Sequence, residues 1–208
     1  MASTTNSTRV KAPASGTADR PATRQRRVQM ATDSQSPRDG VGSIRTRPSA
    51  PKTDLRIPIR IATWNVLTLN GTGYQVALVR ELKRYKIAIA GLTEARLSGS
   101  GEHDVQDGHL LYSGGTEKRN GVALVLRPPF NKALTMWHPL SDRLLYARLA
   151  HKHGHISIIV AYAPTNEATD SDKDRFHDEL STTTQTVPPH DKLLVIGDLN
   201  AVSGEATN

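Results

Sequence analysis

The sequence predicts an α/β domain, because short apolar strands and amphipathic helices alternate along one chain. Residues 87–92 form a continuous apolar run, which is typical of a strand buried on both faces. Just before it, Val76, Val79, Leu82 and Tyr85 recur at helical spacing. A chain of 208 residues is long enough for one such domain with a hydrophobic core.

The other elements follow from the same patterns. Alternating isoleucines predict a first strand at residues 59–65, and the helix then leads to a strand at 87–94. Further strands are predicted at 108–113, 121–126, 144–149, 156–163 and 193–197, with glycine or proline between most of them. A second helix is predicted to begin with a capping box of Ser171 and Asp174 and to bury Phe176 and Leu180.

Residues 1–54 differ in composition from the rest of the chain. They carry ten Lys and Arg against four Asp and Glu, whereas residues 55–208 carry seventeen against sixteen. Ser, Thr, Pro, Ala and Arg dominate the segment, and it has almost no apolar periodicity. The sequence therefore predicts a disordered basic tail at 1–54 and a folded domain at 55–208.

Cysteine is absent from the chain, which excludes disulfides, thiolate metal sites and a cysteine nucleophile. The longest apolar runs fall well short of the roughly 20 residues that cross a bilayer, and the N-terminus lacks the apolar core of a signal peptide. We therefore expect no membrane partner. An intracellular location, nuclear or cytoplasmic, is favoured over secretion.

Polar side chains stand where the predicted apolar strands end. They are Asn65, Glu94, Tyr162 and the pair Asp198 and Asn200. In layered α/β folds, ligand-binding groups gather at such strand ends. Carboxylate, amide and phenol oxygens without cysteine suit a hard cation such as Mg²⁺.

Five motifs occur in a characteristic order: Thr63-Trp64-Asn65, Leu92-Thr93-Glu94, Arg119-Asn120-Gly121-Val122, Ala161-Tyr162-Ala163-Pro164 and Gly197-Asp198-Leu199-Asn200. In this order they resemble the endonuclease/exonuclease/phosphatase superfamily. Within it, residues 111–115, 119–122 and 141–144 are similar to the craniofacial development protein 2-like group and to the endonuclease domains of non-LTR retrotransposons. The resemblance implies a two-sheet α/β sandwich with helices outside, of the deoxyribonuclease I type.

The resemblance also implies a chemistry, Mg²⁺-dependent phosphodiester hydrolysis on DNA, with Mn²⁺ as the alternative ion. Glu94 would bind the metal, and Asn65 would support the metal and phosphate site. Asp198 would orient or deprotonate the attacking water, and Asn200 would hold the phosphate. The Tyr162 hydroxyl would stabilise charge at phosphorus.

The chain departs from the family pattern at two places. Thr93 stands where the family usually has Gln. Family domains also continue past the Gly-Asp-Asn segment to a terminal Ser-Asp-His motif, which does not follow here. The resemblance thus implies a domain incomplete at its C-terminus, with weak or absent activity.

Two other functions compete with this interpretation, a non-catalytic binding module or retroelement remnant and a phosphatase acting on a small molecule or lipid headgroup. Among single residues, Trp64 is expected in the core and Arg143 in a structural ion pair. His151, His153 and His155 alternate on a predicted hairpin, which favours a solvated tip over a transition-metal site.

Overall fold

The computed structural model describes residues 42–47, 50–52 and 58–200. Within these ranges the chain forms strands β1 Arg45–Thr46, β2 Ile61–Asn65, β3 Ile89–Thr93, β4 Ser100–Val105, β5 Gly108–Ser113, β6 Val122–Leu126, β7 Leu134–Pro139, β8 Leu144–His151, β9 Gly154–Tyr162 and β10 Lys192–Asp198. The helices are α1 Thr72–Arg84, α2 Phe130–Ala133 and α3 Asp170–Thr186.

The strands form two sheets of five, in the orders β2-β3-β6-β5-β4 and β1-β7-β8-β9-β10. The main core lies between them and contains Leu111 and Leu124 from one sheet and Trp137, Ile158 and Val160 from the other. The apolar face of α1 covers the outside of the first sheet, and α3 covers the outside of the second. The predicted two-sheet α/β sandwich with helices outside is confirmed.

Two pairs of neighbouring strands are parallel, β2 with β3 and β9 with β10. Asn65 is in register with Thr93 in the first pair, and Asp198 with Tyr162 in the second. The partner strands of a parallel pair end at the same edge of the sheet. Since β2 and β10 also contact each other across the sandwich, the polar strand ends lie at one end of the molecule.

The predicted strands and helices are present, with bounds shifted by a few residues. The strand predicted at 87–94 is β3, and all five of its residues are buried. The predicted capping box of the second helix is wrong: α3 begins two residues earlier, and the Thr169 hydroxyl accepts a hydrogen bond from the backbone N–H of Asp172. Thr169 and Asp172 have the same spacing as the predicted cap, so the local pattern alone did not distinguish the two registers.

Three strands were not predicted, β1, β4 and β7. β4 is rich in polar residues because it is an edge strand that pairs only with β5 among the described residues. β1 lies inside the segment predicted to be a disordered tail, yet it pairs with β7, and the Arg45 guanidinium lies 4.9 Å from the centre of the Trp137 ring. Arg47 adds an ion pair of 2.7 Å with Glu102 of β4. Long-range pairing thus holds residues 42–47 against the sandwich; residues 1–41 of the predicted tail lie outside the described ranges.

No helix in the described part of the chain is long and apolar enough to span a bilayer.

Candidate functional site

Glu94 is the point at which side chains from both sheets meet. It directly follows β3, and its side chain is only 16% exposed. Asn65, at the end of β2, donates from Nδ2 to Glu94 Oε1 over 2.6 Å. Tyr162, at the end of β9 in the other sheet, donates its hydroxyl to the same oxygen over 3.5 Å. Arg96 donates from Nη2 to the second oxygen, Oε2, over 2.7 Å. Both oxygens of the carboxylate therefore have donors.

These contacts change the acidity of two groups in opposite directions. The hydrogen bond from Asn65, followed by the bond and charge of Arg96, lowers the pKa of Glu94 below its ordinary 4.5 although burial opposes the change. Burial raises the pKa of Tyr162 above its ordinary 10.0, and the negative charges of Glu94 and Asp198 add to the increase. At neutral pH the site thus holds a charged carboxylate and a protonated phenol.

Asp198 and Asn200 form a second group at the end of β10. The Asp198 carboxylate accepts a hydrogen bond from the backbone N–H of Asn200 over 3.0 Å, and Asn200 Nδ2 donates to the Ala163 carbonyl over 2.7 Å. The preceding residue, Gly197, has a φ of 138°, and a side chain there would collide with the Ala161 carbonyl of β9. A glycine is therefore required at this position of β10, directly before Asp198.

A cleft of 1020 Å³ lies at this end of the sandwich. Its lining consists of Thr63, Trp64, Asn65, Thr93, Thr165, Asn166, Glu167, Gly197, Asp198, Leu199 and Asn200. Of the five predicted site residues, Asn65, Asp198 and Asn200 line the cleft, whereas Glu94 and Tyr162 lie beside it and contact Asn65 or each other. The cleft also contains Thr93, which is 1% exposed and whose hydroxyl has no hydrogen-bond partner in the described structure.

Two arginines lie next to the predicted residues; the sequence assigned no role to Arg96 and predicted a structural ion pair for Arg143. Arg96 pairs with Glu94 as described above. Arg143 donates from Nη1 to the Tyr162 carbonyl over 3.2 Å, and its guanidinium lies 5.2 Å from the centre of the Tyr162 ring. The predicted ion pair of Arg143 with an acidic residue is replaced by these contacts. The sequence did contain a signal for Arg96, because it is a basic residue two positions after Glu94, the predicted metal-binding residue.

The prediction that Trp64 belongs to the core is wrong. Trp64 is 43% exposed, because β2 is an edge strand and no neighbouring strand covers that side within the described ranges. His151, His153 and His155 lie at the β8–β9 hairpin as predicted, but the expected solvated tip is wrong for His151, which is only 5% exposed. In the described residues no three His, Cys, Asp or Glu side chains come together as a metal-binding group there or elsewhere.

Mg²⁺ does not require such a group, because it keeps several waters and takes one or two protein carboxylates. Glu94, Asp198 and the amides of Asn65 and Asn200 offer oxygen donors of the hard type that Mg²⁺ prefers. Burial is the main cause of the raised pKa of Tyr162, and the charges of Glu94 and Asp198 both add to it. The donor set therefore fits Mg²⁺.

The chain belongs to the endonuclease/exonuclease/phosphatase family, whose pattern matches residues 62–208. The family contains nucleases and phosphodiesterases. Among curated proteins, the chain is similar to craniofacial development protein 2 of Bos taurus, 33% identical over 145 residues, and to that of Tragulus javanicus, 32% identical over 145 residues. These matches cover 69% of this chain and 24% and 25% of the two relatives, so the chain spans about a quarter of their length.

Among solved structures, the fold is similar to the endonuclease domain of TRAS1, a telomere-specific non-LTR retrotransposon. The TM-score is 0.51 at 17% sequence identity, and the match covers 71% of this chain and 63% of that one. The likeness establishes the shared sandwich fold.

Proposed function

We propose that this chain is a Mg²⁺-dependent phosphodiester hydrolase that acts on DNA. The observation that carries the proposal is the convergence of Asn65 from one sheet and Tyr162 from the other on the Glu94 carboxylate, beside a cleft lined by Asp198 and Asn200. Membership of a family that contains nucleases supports the reaction class. The basic segment 1–54, with a net excess of six positive charges (10 − 4), is consistent with a polyanionic substrate.

The geometry suggests a role for each residue. Glu94 is charged at neutral pH and would hold the metal, while Asn65 orients its carboxylate. Asp198 accepts a bond only from the Asn200 backbone in the contacts described above, which leaves carboxylate oxygen for orienting or deprotonating a water. Bound Mg²⁺ would supply charge stabilisation at the phosphate oxygens.

Tyr162 and Asn200 would serve the phosphate. Tyr162 keeps its proton, because its pKa is raised by burial and by the nearby carboxylates, so its hydroxyl can donate to developing negative charge. Asn200 Nδ2 donates to the Ala163 carbonyl in this structure. Its amide would have to turn from that carbonyl to contact a phosphate oxygen.

The test is Mg²⁺-dependent cleavage of supercoiled plasmid and of a duplex with one abasic site. We expect Glu94→Ala and Asp198→Ala each to reduce the cleavage rate by about a hundredfold or more, since each removes a charge that no neighbour replaces. Asp170→Ala is the matched control, because Asp170 is 95% exposed on α3 and its loss should leave the rate unchanged. Cleavage that survives both site substitutions would refute the proposal.

The two competing functions predict different results when the same protein preparation is assayed. A small-molecule phosphatase would release phosphate from soluble phosphate esters and leave both DNA substrates intact. A non-catalytic binding module would retain DNA in a binding assay and cleave neither class of substrate.

A further inference from the structure

The Glu94 carboxylate already has a cation beside it, the guanidinium of Arg96, at 2.7 Å. The other carboxylate oxygen is occupied by the Asn65 amide and the Tyr162 hydroxyl. A divalent ion that binds Glu94 must therefore share a carboxylate oxygen with one of these donors or displace that donor. Arg96 is the only one of the three that carries a positive charge, so it is the one that a divalent cation repels.

The backbone of Arg96 is held by hydrogen bonds to a neighbouring loop, and the end of its side chain is held by the ion pair with Glu94. Its N–H donates to the Asn120 carbonyl over 2.9 Å, and the preceding residue, Ala95, donates to the Gly121 carbonyl over 2.9 Å. The Arg96 side chain is 44% exposed as a whole, although its Nε is buried and has no hydrogen-bond partner in the described part of the chain. The ion pair with Glu94 thus holds the guanidinium in place, and solvent is available to it when the pair opens.

We propose that Arg96 is a resident counter-cation that competes with the divalent metal for Glu94 and leaves the carboxylate when the metal binds. The inference rests on the proposed function, because it takes Glu94 as the metal-binding residue. Arg96 is a positioning residue in this scheme. It orients the Glu94 carboxylate in the absence of metal, and it sets the metal concentration at which the site fills.

The test measures Mn²⁺ and Mg²⁺ binding directly, by titration calorimetry on the full chain. Arg96→Gln should tighten Mn²⁺ binding about three- to tenfold, the range expected for loss of a partly exposed ion pair. Arg96→Lys keeps the positive charge and should bind Mn²⁺ more weakly than Arg96→Gln. Arg84→Gln is the matched control, because Arg84 pairs with Glu81 on the exposed face of α1, and it should bind Mn²⁺ like the unaltered chain.

Equal or weaker binding by Arg96→Gln than by the unaltered chain would overturn the inference. The inference would also be overturned if Arg96→Lys bound Mn²⁺ as tightly as Arg96→Gln, because loss of the positive charge would then not be the cause of the tighter binding. Glu94→Gln separates this failure from failure of the proposed function. If Glu94→Gln binds Mn²⁺ as well as the unaltered chain, Glu94 is not the metal-binding residue and both ideas fail. If it loses binding and Arg96→Gln gains none, only the role of Arg96 is wrong.

A second measurement is made on the unaltered chain and does not depend on whether Arg96→Gln folds. The Nε–Hε resonance of Arg96, assigned from its absence in Arg96→Lys, should shift during a Mg²⁺ titration of the unaltered chain with the midpoint found by calorimetry. A resonance that does not move while Mg²⁺ binds would overturn the inference. Thermal melts distinguish a purely structural role, because competition predicts a larger Mn²⁺-induced increase in Tm for Arg96→Gln, whereas a structural role predicts equal increases.

Discussion

Glu94 and Arg96 both have a left-handed backbone, with φ of 53°. Residues other than glycine adopt this conformation rarely, at a cost of about 1 kcal/mol or more, and keep it where surrounding contacts impose it. Here the buried residue between them, Ala95, is bonded on both sides, to the Gly121 carbonyl through its N–H and to the Leu69 N–H through its carbonyl. The turn directs both charged side chains to the same end of the sandwich, where they pair.

The low pKa of Glu94 predicts a pH dependence of stability. A carboxyl whose pKa is lower in the folded state than its ordinary 4.5 stabilises the fold above that value, and this contribution is lost as the pH falls through the lowered pKa. Asn65→Ala removes the largest cause of the lowering. We expect its Tm to be below that of the unaltered chain at pH 6, and the gap to narrow as the pH falls below 4.5.

Thermal melts between pH 6 and pH 2.5 by circular dichroism would measure this gap. Asn70→Ala changes an exposed asparagine of the following loop and should show a gap that does not vary with pH. If the gap of Asn65→Ala is equally large at both ends of the range, the hydrogen bond to Glu94 does not cause the pKa change.

At the level of elements, β8, β9 and β10 are joined by one carboxylate at the start of β10. The side chain of Asp191 is 2% exposed and accepts hydrogen bonds from Arg148 on β8, at 2.6 and 2.9 Å, and from the Ser157 hydroxyl on β9, at 2.7 Å. The Arg148 hydrogen bonds are the main cause of the lowered pKa of Asp191. This cluster fixes the start of the strand whose other end carries Asp198.

Asp191→Ala should therefore destabilise the fold by about 3 kcal/mol, since it leaves a partly buried guanidinium without its partner. Urea denaturation followed by fluorescence would measure the change. Asp170→Ala breaks an exposed ion pair with Lys173 on α3 and should cost less than about 0.5 kcal/mol. Similar losses for the two variants would contradict the assigned role of Asp191.

At the level of the whole molecule, one side of the sandwich is formed by the outer strands β2 and β10, and each pairs with a single strand among the described residues. Large exposed apolar side chains gather on these strands and just after β10: Ile61, Trp64, Leu193, Val195 and Leu199, between 38% and 50% exposed. Unpaired strand edges with apolar side chains favour association with further strands.

This side of the sandwich leads us to expect that a C-terminal segment from the same family, ending in Ser-Asp-His, will raise both Tm and Mg²⁺-dependent plasmid nicking when fused after Asn208. The same segment with its terminal His replaced by Ala should keep the gain in Tm and lose the gain in nicking. An extended chain with no gain in Tm would contradict this expectation, and an extended chain that folds but stays inactive would favour a non-catalytic module.

The sequence by itself determined the elements that carry their signal locally. The buried strand β3 is a continuous apolar run, and Asn65, Glu94 and Asp198 are recognisable as site residues because they are the polar residues that end such runs. What only the tertiary structure decided depends on partners distant in the chain. β1 and β4 are strands because β7 and β5 pair with them, although their own residues are polar. Trp64 is exposed because its strand lies at a sheet edge, and Arg96 reaches Glu94 through two left-handed residues. The local pattern of apolar and polar side chains indicates which residues are buried and whether they repeat with the period of a helix or of a strand. It does not indicate which strand becomes a neighbour or where the backbone reverses.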